Sequence, residues 1–453
     1  MAALLPIVVN ATMKSPTLLV ALALSLLANA SFAATLKDRE GAVRGDKAAM
    51  EKDARWIYND FQKGLEQAKW KGKPLLVVLR CVPCLSCAGI DASVLQEPEL
   101  APLLDQFVCV RVINANALDL ALFQFDYDLS FSTLFFNGDG TVYGRYGSWT
   151  HQKNPQDKTT AGYKRALEAA LALHRNYPNN KAALAGKQGV PAPFKTSVEI
   201  PALAAKYKTT LDWEGKVVQS CVHCHMVGEA LRASYRDQKK PIPTELIYPM
   251  PAPETIGLTL APEAAARVAS VAAGSIAARA GLLAGDDIVS LGGQPLISIA
   301  DFSWALQRAP ESGPLAATVR RAGGEKTLSL TLPADWRSHS DISKRVGTWS
   351  MRAMTSGGLS LEDLPDAART ERGLAPEGMA LLVKTVGQYG KHAAAKNAGF
   401  QKDDIIVELD GLTTRLTEGQ LMGHLLQKRT AGEKVPATVL RGTTRIALTL
   451  PMQ

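Results

Sequence analysis

The stretch Lys73-Pro74-Leu75-Leu76-Val77-Val78-Leu79-Arg80-Cys81-Val82-Pro83-Cys84 decides how the N-terminal part of the chain is read. Residues 75–79 are uninterrupted apolar positions entered from a Gly-Lys-Pro turn, the pattern of a short strand covered on both faces. A Cys-x-x-Cys where such a strand ends and a helix begins sets its first sulfur against unpaired backbone N–H groups. The positive end of the helix dipole adds to their stabilisation of a thiolate. Pro83 suits the first helical turn, where no N–H donor is needed. Cys81 is therefore assigned as the attacking thiolate, with Arg80 as a cationic neighbour, and Cys84 as the thiol that resolves a mixed disulfide. Cys87, a helical turn further on, is a second candidate resolving thiol. The spacing also leaves open a structural disulfide, zinc or an iron–sulfur cluster. The next cysteine, Cys109, stands in an apolar stretch and reads as a buried small side chain.

Working outward, apolar residues at helical spacing predict a helix over 47–68, preceded by a polar, irregular stretch up to 45. A helix is expected at 92–104, a strand at 107–113, and strands at 134–136 and 141–143. The last two flank the hairpin loop Asn137-Gly138-Asp139-Gly140, and a helix at 160–177 closes the unit. With the Cys81-Val82-Pro83-Cys84 motif, this order resembles the thioredoxin superfamily over residues 47–178, and a thioredoxin-like domain is placed at 45–178. The resemblance implies thiol–disulfide chemistry with protein thiol partners. Two positions depart from it: Ser130-Phe131-Ser132-Thr133 stands where the family has a cis-proline facing the dithiol, and Arg80 replaces the usual tryptophan.

A chain of 453 residues, 46% hydrophobic and 21% charged, divides into several globular domains. The net charge of +8 is spread along the chain in short clusters, so no nucleic-acid partner is expected. Residues 1–33 read as a signal peptide: Lys14, an apolar run at 18–28, then Ser31-Phe32-Ala33. The run is too short to span a bilayer and no later segment is long and apolar enough. Export to the periplasm, where disulfides persist, is the expectation.

Cys221-Val222-His223-Cys224-His225 has the spacing of covalent haem c attachment, with thioethers from Cys221 and Cys224 and His225 as the iron ligand. A second dithiol or a zinc site is the alternative. The motif lies in a linker and short helical segment at 179–250, brief for a cytochrome core, so neighbouring domains are expected to help cover it. Met250 is the candidate second axial ligand, Met226 is too close in sequence to reach the opposite haem face, and His223 is expected to point outward.

From residue 256 the chain repeats itself. Ile256-Gly257-Leu258-Thr259-Leu260 recurs as Gly358-Leu359-Ser360-Leu361, Ala280-Gly281-Leu282 as Ala398-Gly399-Phe400, and Gly285-Asp286-Asp287-Ile288 as Lys402-Asp403-Asp404-Ile405. Both copies resemble bacterial PDZ domains, placed at 251–335 and 350–453. The resemblance implies that Ile256, Gly257, Leu258, Thr259 and Leu260, and Gly358, Leu359, Ser360 and Leu361, hold protein or peptide C-termini. No serine-protease turn accompanies them, since Met354-Thr355-Ser356-Gly357-Gly358 lacks its first glycine. The expected fold class is thus α/β and mainly-β multidomain: a thioredoxin-like fold, a short helical haem segment and two PDZ-like domains. That order is similar to a group of bacterial thioredoxin/PDZ proteins, some described as selenoproteins, in which selenocysteine would match Cys81. The function expected is exported thiol–disulfide redox chemistry with haem c and peptide tethering. A non-enzymatic PDZ scaffold with structural cysteines, or metal delivery through the cysteines, are the other classes.

Overall fold

In the computed structural model, which describes residues 38–82, 97–129, 131–147 and 160–453, the apolar run at 75–79 is the middle of a five-stranded sheet. Residues 1–33, which the sequence reads as a signal peptide, and Cys84, Cys87 and Ser130 lie outside the described residues. The strands are β1 (Trp56–Tyr58), β2 (Leu75–Arg80), β3 (Val108–Val112), β4 (Phe131–Phe136) and β5 (Val142–Gly147), in the order β1-β3-β2-β4-β5. β1 and β2 run parallel to β3, β4 is antiparallel to β2, and β5 to β4.

Alternation along β2 divides its side chains between two layers. Leu76 and Val78 pack with Cys109, Tyr163 and Leu167, the last two from α3 (Thr160–Arg175). Leu75, Val77 and Leu79 face the opposite layer, built partly by α2 (Phe61–Lys71) and partly by Ile200, Leu203, Val222, Val227 and Leu231. The segment carrying Cys221 to His225 is therefore a structural layer of the N-terminal domain. At full burial each such side chain contributes about 1.5–3 kcal/mol.

Two sequence expectations change here. The single helix at 47–68 is two helices, α1 (Arg39–Met50) and α2, separated by β1. Asp60 caps α2 by accepting from the Lys63 N–H, Asn59 turns the chain at φ 55°, and Trp56, Ile57 and Tyr58 prefer pairing with β3. From residue 38 the stretch up to 45 is helical rather than irregular: Asp38 caps α1, and Val43 is fully buried with Val82, Ile113 and Val217. The helix expected at 92–104 is described only from Pro98, as a 3₁₀ turn (Pro98–Leu100) running into Ala101–Leu104.

Beyond α4 (Cys224–Asp237) come two β modules. The first pairs β6 (Leu258–Leu260) with β7 (Val268–Val271). It stacks β8 (Asp287–Leu291), β9 (Gln294–Pro295), β10 (Gly313–Arg321) and β11 (Gly324–Leu332) in the order β11-β10-β8-β9, with α5 (Ile299–Gln307) packed on them. The second follows α6 (Thr348–Met354). Its strands β12 (Leu359–Asp363), β13 (Leu381–Val386), β14 (Ile405–Leu409), β15 (Lys434–Arg441) and β16 (Thr444–Pro451) form one consecutive sheet, with α7 (Glu418–Lys428) on it.

Buried cations join the units. Lys187 pairs with Asp301 of α5, both fully buried, and the Arg145 guanidinium lies 3.8 Å over the Trp304 ring. Arg345 bridges Asp126 and Asp128, with Nε 2.9 Å from Asp128. Arg236 of α4 donates to the carbonyls of Met354, Arg429 and Gln453. Buried charges of this kind are tolerated only when paired, so these contacts fix how the units sit together.

Candidate redox site

Cys81 stands immediately after β2, whose C-terminal end opens at the edge of the parallel strands. Its Sγ lies 3.0 Å from Nδ1 of His223. The expectation that His223 points outward is thus corrected: the chain on either side of it is fixed by other residues, and the ring turns toward β2. The Val222 carbonyl accepts from the Ala115 N–H at 2.8 Å, and the Val222 N–H donates to Asn116 Oδ1 at 2.7 Å. Asn116 is fully buried and its amide donates back to the Ser220 and Lys208 carbonyls. Every polar atom of that side chain is engaged in holding the 208–222 segment against the strand ends, as a buried amide requires.

Arg80, expected as a cation beside Cys81, is buried with its guanidinium 4.0 Å from Asp46. Arg111 shares the same carboxylate, with Nε 3.2 Å away. Burial and the Asp46 charge push the Tyr58 hydroxyl up from its ordinary value, so it stays protonated beside this group.

The other cysteines differ from Cys81. Cys221 is buried and its Sγ donates to the Val217 carbonyl at 3.1 Å. Burial pushes its thiol up to about 12, with the Cys81 and Glu40 charges adding to the rise. Cys224, half-buried as the first residue of α4, is pushed up to about 12 by burial and then by the Cys81 charge. Cys81 is thus within electrostatic reach of both. Cys109 is fully buried, its Sγ 3.5 Å from the Leu104 carbonyl and its thiol raised to about 12 by burial, consistent with a packing role.

A covalent haem at Cys221, Cys224 and His225 needs both sulfurs and the imidazole on one open face. In this arrangement Cys221 faces inward, Val222 is fully buried between Ala115 and Asn116, and His225 is held by Glu229 at 3.3 Å, which raises its pKa. The segment so folded does not fit a haem, whose attachment would require Val222 to leave the core. Met250 has other surroundings: it is buried beside Phe125, Leu129, Tyr146 and Ala300, and its N–H donates to Gln307 at 2.7 Å. A cavity of about 750 Å³ opens near Asp53, Trp56 and Lys63 and is not lined by Cys81.

The two candidate peptide edges differ. In the first module Ala272 N–H donates to the Gly257 carbonyl, so alternation turns the N–H groups of Leu258 and Leu260 away from β7 toward the edge a peptide strand would join. In the second, Gly387 bonds Gly358 in the same way, but the outward donors are taken by the chain itself. Gly358 N–H donates to Arg352 at 3.0 Å, Leu359 N–H to Ser356 at 3.3 Å, and Leu361 N–H to the Glu418 carboxylate at 2.9 Å. Arg352 of α6 grips Glu418 through Nε at 2.8 Å, and Met351 is buried with Met422 and Leu426 of α7. Thr259 and Ser360 pair inward with β7 and β13, and Ile256 is a core side chain.

A family model described as thioredoxin-like matches residues 56–138, and one for PDZ domains matches 267–321. The chain therefore carries a thioredoxin-like domain and a PDZ domain, in a mixed α/β architecture with several sheets. No curated protein matches it. Among solved structures, a serine-to-alanine variant of the HtrA-type protease AlgW with a decapeptide is 16% identical, covering 30% of this chain and 40% of that one, TM-score 0.20. AlgW with a tripeptide is 19% identical over 29% and 41%, TM-score 0.19. The aminopeptidase N family protein from Idiomarina loihiensis is 22% identical over 21% and 13%, TM-score 0.16. The chain spans less than half the length of each, and likenesses this slight say nothing about activity.

Sequence reasoning missed Asn116, Asp46 and the direction of His223. Nothing in the local pattern of a single Asn or Asp signals a partner more than 60 residues away, as Arg111 is from Asp46. Only the presence of a polar residue that the fold must bury and satisfy could have raised the question.

Proposed function

We propose that the protein is an exported thiol–disulfide oxidoreductase in which the PDZ domain, and a second PDZ-like module at the C-terminus, serve to hold or position a protein partner. The observation that carries this is the 3.0 Å contact between Cys81 Sγ and His223 Nδ1 at the end of β2 in a thioredoxin-like domain. A proton passed from sulfur to imidazole leaves a thiolate beside an imidazolium, the pairing that makes a cysteine nucleophilic at neutral pH. The thiolate attacks one sulfur of a partner disulfide, forms a mixed disulfide and releases the other partner sulfur as a thiolate. In this reading Cys84 resolves the mixed disulfide, and the leader at 1–33 delivers the protein where partner disulfides persist.

Cys81→Ser is expected to abolish reduction of a protein disulfide such as that of insulin. His223→Gln is expected to slow it about ten- to thirty-fold at pH 7, the gap between a largely ionised thiol and an ordinary cysteine with pKa near 8.5. That loss should shrink as the pH passes about 8.5. Unchanged turnover in Cys81→Ser would move the chemistry to another thiol, and a wild-type chain that reduces no protein disulfide would be a scaffold without thiol chemistry.

Haem c attachment is a second reading, favoured by the Cys221-x-x-Cys224-His225 spacing. It requires Val222 to leave its place between Ala115 and Asn116. A visible haem spectrum after export with haem-maturation machinery, lost in Cys224→Ala, would establish it.

A further inference from the structure

We infer that the C-terminal module docks on an anionic lipid surface, with Trp349, Tyr389 and Val346 entering the interface and Lys391 and Lys396 meeting the headgroups. The inference is independent of the thiol chemistry at Cys81. It starts from what this module has given up: its β12 edge is closed by its own α6 and by Glu418, so it cannot hold a peptide there as the first module can. Six large hydrophobic side chains are exposed among the described residues. Three of them, Val346 at 54%, Trp349 at 53% and Tyr389 at 85%, gather at this one end of the molecule. Trp349 of α6 stacks on the His392 ring with centroids 4.1 Å apart, which sets α6 against the turn at 389–393 that carries Tyr389. That turn has a firm seat, because the His392 backbone lies so close to Gly358 and Gly387 that a side chain on either would collide with it.

Charge selects the partner. Residues 342–361 and 378–402, which supply both halves of the patch, contain no aspartate or glutamate. Lys344, Arg345, Arg352 and Lys384 pair with carboxylates from other stretches of the chain. Lys391 and Lys396 are exposed, and the Lys396 amine lies 2.6 Å from the neutral side chain of Gln388, next to Tyr389. Lysine is depleted from the centres of protein–protein contacts, whereas tryptophan and tyrosine flanked by lysine suit a lipid interface, where the rings sit at headgroup depth and the ammonium groups are drawn to anionic lipid. So few apolar side chains give reversible, peripheral attachment and leave the fold of the module intact.

The test uses the full chain sedimented with vesicles of phosphatidylglycerol and phosphatidylcholine in equal parts, and with vesicles of phosphatidylcholine alone. Binding to the mixed vesicles is expected. It should weaken about tenfold on the neutral vesicles and in Trp349→Ala with Tyr389→Ala, and about fivefold for each charge removed in Lys391→Gln and Lys396→Gln. Trp70→Ala, which removes the other exposed tryptophan among the described residues, should bind as wild type does. If the double alanine variant does not fold, Trp349→Phe decides: it should still bind, but lose quenching of its fluorescence by lipids brominated on the acyl chains. No binding to the mixed vesicles, equal binding to the neutral ones, undiminished quenching in Trp349→Phe, or an equal loss in Trp70→Ala would each overturn the inference. A wild-type dimer in sedimentation equilibrium that Tyr389→Ala dissociates would also overturn it, since the patch would then seat a second copy of the chain.

Discussion

The two β modules share a sequence repeat and part company at one residue. Ser298 caps α5 and Thr417 caps α7, each side chain accepting the N–H three residues on, so the first helical residues, Ile299 and Glu418, occupy equivalent places. Ile299 packs on the first module's core and offers no acceptor to Leu260. Glu418 crosses to β12, accepts the Leu361 N–H and is locked by Arg352 of α6. One module keeps the edge on which a strand can be added, and the other has closed the same edge with its own chain. A repeat therefore reports ancestry of fold, while the availability of the edge is set by a side chain outside the repeated motif.

The largest effect should come from Glu418→Ala. It leaves Arg352 and Leu361 N–H buried without their acceptor, and breaking a buried pair costs about 3–5 kcal/mol. The urea midpoint of the C-terminal module should fall accordingly, and Glu418→Gln, which keeps an acceptor for Leu361, should lose less. Equal losses for Ala and Gln would mean that the charge pair with Arg352, and not the closed edge, is what the module needs. Next in size is Ile299→Glu, which installs the second module's closing residue in the first. Binding of an array of hydrophobic C-terminal peptides, followed by fluorescence polarisation, should weaken about tenfold, equivalent to about 1.4 kcal/mol. Unchanged binding would show that peptides do not use the β6 edge.

The fold was legible where burial is periodic and local. Residues 75–79 announce β2, Asn137 to Gly140 the hairpin, and the Asp-Asp-Ile turns of the repeat the second sheet-forming unit of each module. It was illegible where a short element is defined by its neighbours: Trp56 to Tyr58 sit inside a stretch of helical spacing and become β1 because β3 has an edge to offer. The candidate site divides in the same way. Cys81 can be placed at the end of a strand from its own flanks. Its contact with His223 spans 142 residues and depends on Asn116 drawing the later segment into the core, which no spacing rule contains. The Cys-x-x-Cys-His pattern therefore suggested haem from local chemistry, and the packing assigns its middle histidine to a thiol.

The smallest effect tests what the modules hold in common. Asp286 accepts from Arg321 Nε at 2.6 Å and from the Leu283 N–H, and Asp404 accepts from Arg441 Nε at 2.8 Å and from the Gln401 N–H. This pair ties the turn before one strand to the strand beside it in both copies, and asparagine keeps one acceptor, so Asp286→Asn and Asp404→Asn should each cost about 0.5–1 kcal/mol, the lower part of the range for a single hydrogen bond. The Arg321 guanidinium holds the Asp286 carboxyl below the usual carboxylate range. A carboxyl lowered on folding contributes stability that is present above its unfolded value of about 3.9 and is lost as the pH falls through its folded value. Wild type should therefore lose its advantage over Asp286→Asn only as the pH is taken below about 4, and urea melts at pH 6, 4 and 3 would show the two midpoints converging. Parallel midpoints down to pH 3 would mean that the aspartate acts through its shape and its bond to Leu283 rather than through its charge, and the two copies would then share a turn but not an ion pair.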